Sequence, residues 1–215
     1  MPGIDHNELS GHYGKMKKAI FLDLGGVLVE IAGEHEMRKL LGSSFSREQM
    51  WARWLASPAV RAHECGQISV EEFAAALVEE YEQSICANDF IASFHRWIVG
   101  SFSETHQLLT DIKARVTIAL LTNTCAAHWP QIEATGVPAH FKHIVASHQI
   151  GKLKPDLEYF IHALDVVGIN ADEAIFFDDN EINCVGARKA NIEAFVARNP
   201  SDVRNTLIEL NIMPQ

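Results

Sequence analysis

A chain of 215 residues is long enough for one sizeable core, or for one core with a smaller domain attached. With 18 Lys+Arg against 28 Asp+Glu it carries a formal net charge of −10, so nucleic acid is not an expected partner and any anionic ligand must be met by local positive groups. No apolar run reaches the length of a membrane span and residues 1–18 hold no apolar segment of a signal peptide, so a cytoplasmic protein without a membrane partner is expected. The four cysteines, Cys65, Cys86, Cys125 and Cys184, are far apart with no CxxC pair, which argues for free thiols. Among eleven histidines none sits in an HExxH arrangement, and His140 with His143 is the one close pair that could share a helical face.

Residues 1–15 are polar and aperiodic and are expected to form a tail. Ala19-Ile20-Phe21-Leu22 then runs without a break into Asp23, followed by Leu24-Gly25-Gly26, the pattern of a buried strand ending at a charged tip and a loop. From residue 31 to 100 the pattern turns helical. Glu34–Leu41, Arg47–Leu55, Ser69–Tyr81 and Asp89–Val99 each repeat apolar residues at helical spacing, and Ser69 with Glu72 makes a capping box. Trp51, Trp54, Phe73, Phe94 and Trp97 fit the core of a small helical bundle better than a ligand-binding set.

From Ser101 onward strands alternate with helices. Helices are expected at His106–Lys113, Ala126–Thr135, Leu157–Val167, Ile182–Ala190 and Val203–Leu210, with strands at Val116–Thr122, Ile144–Ser147, Ala174–Asp178 and Ala194–Ala197. That alternation predicts an α/β fold: a Rossmann-like parallel sheet, built from residues 16–30 and 101–215, with a helical insertion at 31–100.

Polar groups gather at the tips of these strands, where α/β sheets place ligands. Asp23 ends the first strand, either as a turn cap or as a site residue. Thr122-Asn123 ends the next, a common enough strand ending when taken alone. Lys154-Pro155 puts an ammonium beside a proline suited to the first turn of a helix. Asp178-Asp179 ends an apolar strand with two adjacent carboxylates, and like charges at a partly buried tip call for a cation. Asp23 with Asp179, and Asp178 as a further or water-mediated contact, suits the oxygen-rich shell of Mg²⁺.

Taken in order, Asp23-Leu24-Gly25-Gly26-Val27-Leu28, Thr122, Lys154-Pro155 and Asp178-Asp179 resemble the four motifs of the haloacid dehalogenase-like hydrolases. Cys65-Gly66-Gln67-Ile68-Ser69-Val70-Glu71-Glu72-Phe73 is similar to a stretch common in the α-helical caps of that superfamily. The resemblance implies that Asp23 attacks phosphorus to form an aspartyl-phosphate, with Thr122 and Lys154 stabilising the transferring group. Asn123 and Gly26 would lie beside the substrate, and Asp23, the Gly25 carbonyl, Asp178 and Asp179 would bind Mg²⁺. One position departs from the pattern. Gly25 stands where the family usually carries a second Asp that protonates the leaving group, although members resembling glucose 1-phosphate phosphatases likewise read Asp-x-Gly-x-Val.

The expected function is a Mg²⁺-dependent phosphatase of a small phosphorylated metabolite, with sugar phosphates as candidates, working as a monomer or homodimer. A catalytically impaired relative that binds a phosphorylated ligand or a protein partner is the first alternative, and a haloacid dehalogenase the second. His63 and Glu64 are candidates to face the site from the helical side and replace the missing acid, against a surface or core role for each.

Overall fold

The computed structural model describes residues 16–33, 35, 36, 38, 46–80 and 86–214. The expected tail at 1–15, most of the helix at 34–41 and the end of the helix at Tyr81 lie outside them. Five parallel strands form the central sheet: β1 (Ala19–Leu22), β4 (Thr117–Thr122), β5 (His143–Ala146), β6 (Ala174–Asp178) and β7 (Glu193–Val196), in the order β5-β4-β1-β6-β7. The central strands are apolar along their whole length because both faces are covered. Ile20, Leu22, Ile118, Leu120, Ile175 and Phe177 point to one face, where helices α5 (Thr105–Lys113) and α10 (Pro200–Glu209) bury them. Phe21, Ala119, Leu121 and Phe176 point to the other, against α8 (Leu157–Val167) and α9 (Glu181–Lys189). The result is the α/β fold expected, a parallel sheet between helical layers.

The order reverses at β1, whose neighbours β4 and β6 lead away in opposite directions, so its carboxyl end opens on a crevice. Asp23 follows directly, its backbone N–H tied to the carbonyl of Phe177 at 2.9 Å.

The helical block holds α1 (Arg47–Ala56), α2 (Pro58–Glu64), α3 (Val70–Glu80) and α4 (Ala87–Phe94). Ser46 caps α1 in a capping box with Gln49, and Ser57 caps α2 through the backbone N–H of Val60. Ser69 and Glu72 form the capping box before α3, at 3.2 and 2.8 Å. Trp54, Phe73, Phe90, Phe94 and Trp97 interlock as a separate apolar cluster that also takes in Cys125 from the loop after β4.

Within the helical block two features differ from the sequence reading. The helix expected over Asp89–Val99 stops at Phe94, and Ile98–Ser101 is a strand, β3, paired antiparallel with β2 (Val29–Ile31). The block at 31–100 is therefore not wholly helical: its entrance and exit run side by side. Helix α2 was not expected at all. Its seven residues are too few to display a helical period, although Ser57-Pro58 is a cap followed by a first-turn proline.

The block meets the core at several points. His128 on the loop after β4 donates from Nε2 to the carbonyl of Phe94 at 2.7 Å, the Arg61 guanidinium pairs with Asp156, and Gly66 lies against the carbonyl of His148. Gly66 has φ +71°, and a Cβ there would come within 2.6 Å of that oxygen, so only glycine fits the approach.

Candidate active site

Three strand tips converge. Lys154 Nζ donates to Asp23 Oδ1 at 2.6 Å, to Asp178 Oδ2 at 2.7 Å and to the Leu121 carbonyl at 3.0 Å. The ammonium is 1% exposed, so its three donors are satisfied entirely within the protein. Burial alone would lower the Lys154 pKa, but Asp178 and Asp23 more than offset this and hold it above its ordinary value. Burial in turn pushes the Asp23 carboxyl above the usual carboxylate range, with Lys154 opposing and Asp178 and Asp179 adding to the rise.

Proline does not hold Lys154 where the sequence suggested. Pro155 precedes α8 by two residues and lies outside its first turn, since Asp156 is the residue flanking the helix. Asn123 positions the lysine instead. Its amide donates to the Lys154 carbonyl and accepts from the Lys154 N–H, both at 2.9 Å. A side chain expected beside the substrate thus clamps the segment that delivers the ammonium, although it also borders the cavity.

Asp178 is fully buried and fully engaged. One oxygen takes Lys154, and the other accepts from the Asn180 N–H at 2.9 Å and Asn183 Nδ2 at 3.0 Å. Asp23, Asp178 and Asp179 each offer a carboxylate oxygen within 4.8 Å of the others, the one group of this kind among the described residues. This all-oxygen donor set fits a hard divalent cation. The Gly25 carbonyl accepts none of the described backbone hydrogen bonds that close the loop after Asp23. The close pair His140 and His143 does not share a helical face: His140 ends a short turn at Pro138–His140, His143 opens β5, and His140 Nε2 lies instead 3.0 Å from His106 Nδ1.

Gly26 does not border the cavity as expected. It has φ +76°, and a Cβ would lie 2.7 Å from the Asp179 carboxyl carbon, so it is the backing against which Asp179 rests. Thr122, 2% exposed, does border the cavity beside Asp23 and Lys154. At Gly25 a Cβ would meet Ile31 Cδ1 at 3.3 Å, so the space beside the missing acid is apolar.

The cavity above Asp23 measures about 130 Å³. Its core side is formed by Asp23, Gly25, Thr122, Lys154 and Asp179, and its far side by Trp51, Trp54, His63, Glu64, Phe94 and Trp97. The aromatic residues are thus core and cavity wall at once. The indole N–H groups of Trp51 and Trp97, His63 Nε2 and Glu64 Oε2 are buried without a hydrogen-bond partner among the described residues. Ile31, Trp51 and Asn123 took no part, or a different one, in the sequence reading, because their relation to Asp23 depends on contacts between distant segments.

A parallel α/β sheet with a carboxylate cluster at its switch point, covered by an inserted helical block, is the architecture of a hydrolase class. The model for the haloacid dehalogenase-like hydrolases matches residues 61–197, and the chain belongs to that family. It is 21% identical over 207 residues to a phosphatase of Mycobacterium tuberculosis, covering 88% of this chain and 91% of that one. The fold is also that of a HAD family enzyme from Bacteroides thetaiotaomicron solved with magnesium and inorganic phosphate (TM-score 0.64, 23% identity, 84% and 93% of the two chains). It is shared too by the L-2-haloacid dehalogenase of Xanthobacter autotrophicus with chloropropionic acid covalently bound (TM-score 0.57, 16% identity, 93% and 85%). Fold alone therefore does not choose between phosphorus and carbon as the point of attack. No helix among the described residues is long and apolar enough to cross a membrane.

Proposed function

We propose that this chain is a Mg²⁺-dependent phosphatase of a small phosphate monoester, with Asp23 as nucleophile and the helical block acting as the cap over its site. The observation that carries the reading is the carboxylate cluster at the strand tips: Asp23, Asp178 and Asp179 each bring an oxygen within 4.8 Å of the others, a donor set for a hard divalent cation beside the nucleophile. A dehalogenase, which attacks neutral carbon, has no use for a third carboxylate beside its nucleophile. The phosphatase relative supports the same choice.

Asp23 Oδ forms a bond to phosphorus as the bond to the leaving oxygen breaks, giving an aspartyl-phosphate that water then hydrolyses. Lys154, held against Asp23 by Asn123, neutralises charge on the carboxylate and the transferring group. Thr122 offers a hydroxyl to a phosphoryl oxygen. When bound by Asp23, Asp179 and the Gly25 carbonyl, Mg²⁺ supplies the charge that lets a carboxylate approach a phosphate dianion. Asp178 keeps Lys154 and the loop at Asn180 in place.

The alternative, a relative that binds a phosphorylated ligand with little turnover, is favoured by one observation: Gly25 has no carboxyl, and Ile31 stands beside it. Hydrolysis of an aryl phosphate and a panel of sugar and alkyl phosphates, with and without Mg²⁺, separates the two. Metal-dependent turnover abolished by Asp23→Asn supports the phosphatase; its absence throughout would leave the binding relative.

A further inference from the structure

We propose that Glu64 is the general acid of this site, protonating the leaving oxygen from the side of the helical block in place of the carboxyl that Gly25 lacks. The proposal rests on the phosphatase reading.

Glu64 is the last residue of α2 and borders the same cavity as Asp23 and Lys154. Its Oε1 accepts from the indole of Trp54 at 3.3 Å, which fixes the carboxyl and leaves any proton on Oε2. Oε2 is shut away from solvent with no partner among the described residues. A buried O–H without an acceptor is costly, and a turn of the side chain toward the cavity it borders would bring this one to an ester oxygen held there. Burial pushes the carboxyl up to about 7, against the pull of Trp54 and Lys154, so it carries a proton near neutrality. The titratable groups that bear on it are Lys154 and Cys125 from the core and Cys65 from the end of its own helix.

His63, the neighbouring candidate, is the wrong donor. Its ring stacks on Phe73 at 4.4 Å, Nδ1 faces the Ile68 carbonyl at 3.2 Å, and burial holds its pKa down. A neutral ring that donates from Nδ1 has only a lone pair at Nε2 and no proton to give.

The step balances. As Asp23 takes phosphorus, the electron pair of the broken P–O bond goes to the leaving oxygen, which receives the Oε2 proton and departs as an alcohol. Glu64, now a carboxylate, takes a proton from the water that attacks the aspartyl-phosphate and is restored as phosphate is released.

The test compares Glu64→Gln with the wild-type chain on p-nitrophenyl phosphate, whose leaving group needs little protonation, and on glycerol phosphate, whose alkoxide does. The expected loss in kcat/KM is on the order of 10²–10⁴-fold on glycerol phosphate and under about tenfold on the aryl ester. Equal losses on both esters, or none on either, overturn the assignment. So does a wild-type chain that hydrolyses the aryl ester alone, since it has no working acid. Melting at pH 8 adds a readout independent of turnover: a protonated buried acid is a liability there, so Glu64→Gln should melt no lower than wild type, and a clear drop would mark Glu64 as a structural hydrogen-bond partner. If the wild type shows no metal-dependent hydrolysis above Asp23→Asn, it is the phosphatase reading that fails, and this proposal with it.

Discussion

Lys154 and Asp23 form a buried ion pair, Nζ to Oδ1 2.6 Å, and the same ammonium also serves Asp178 at 2.7 Å. One cation holds two of the three strand-tip carboxylates, so its removal leaves them uncompensated in a closed site. Breaking a buried pair from one side costs about 3–5 kcal/mol, the loss expected for Lys154→Met without metal. Added Mg²⁺ should raise the melting temperature of this variant more than that of the wild type. Equal shifts in the two proteins would show that the cation does not share the site with Lys154.

Asn123 makes two main-chain hydrogen bonds to Lys154, one from each end of its amide. Asn123→Ala should cost about 1–3 kcal/mol, since it strands a buried donor and acceptor. Asn123→Asp should cost more, because an oxygen would then face the Lys154 carbonyl where an N–H now donates. Urea denaturation orders the two variants, and the reverse order would mean that the clamp has little importance.

Gly25→Asp restores the residue usual in the family. Its Cβ would meet Ile31 Cδ1 at 3.3 Å and Cγ2 at 3.5 Å, contacts with a flexible side chain that can give way. With Glu64 already supplying the proton, the expected outcome is a dependence of kcat/KM on leaving-group pKa close to that of wild type, whereas in a Glu64→Gln background Gly25→Asp should flatten it, more so when Ile31→Val makes room. A marked flattening in Gly25→Asp alone would mean that the wild type lacks an efficient acid.

His128 joins the core loop to the helical block through its hydrogen bond to Phe94, and burial pushes its pKa down to about 4. In the unfolded chain the ring takes up a proton near pH 6.5, whereas in the fold it resists until about 4, so stability is lost as pH falls through that window. At about 1.4 kcal/mol per pKa unit the full loss is roughly 3 kcal/mol. His63, also held low by burial, acts in the same direction. Urea midpoints at pH 7, 5.5 and 4.5 should fall less steeply in His128→Gln than in wild type.

The parallel sheet was legible because each buried strand is a short apolar run with a polar tip. Thus β1 ends before Asp23 and β6 ends at Asp178, and the helix at Leu157–Val167 has the expected limits because Gly168 stops it in a left-handed conformation. The strand at Ile98–Ser101 was not legible. Ile98 continues the apolar spacing of Phe90 and Phe94, and its partner strand at Val29–Ile31 lies some seventy residues away. The site divides in the same way. Asp23, Thr122, Lys154, Asp178 and Asp179 stand out because chemistry concentrates at strand tips. That Asn123 clamps Lys154, that Gly26 backs Asp179 and that Trp54 fixes Glu64 depends on packing between separate segments, which local pattern does not carry.

The ribbon of β2 and β3 has a consequence for how such a protein can diversify. Val29 pairs with Ser101, so the chain leaves the sheet and returns to it one strand spacing apart, and the residues between them are, to the sheet, a single side loop. That loop could be shortened, lengthened or exchanged for another without moving Asp23 or Lys154. Its replacement would need to match docking points such as those at Cys125, His128, His148 and Asp156. If Glu64 is the acid, such an exchange would replace selectivity and proton delivery together, as one heritable cassette, while the nucleophile stayed where it is.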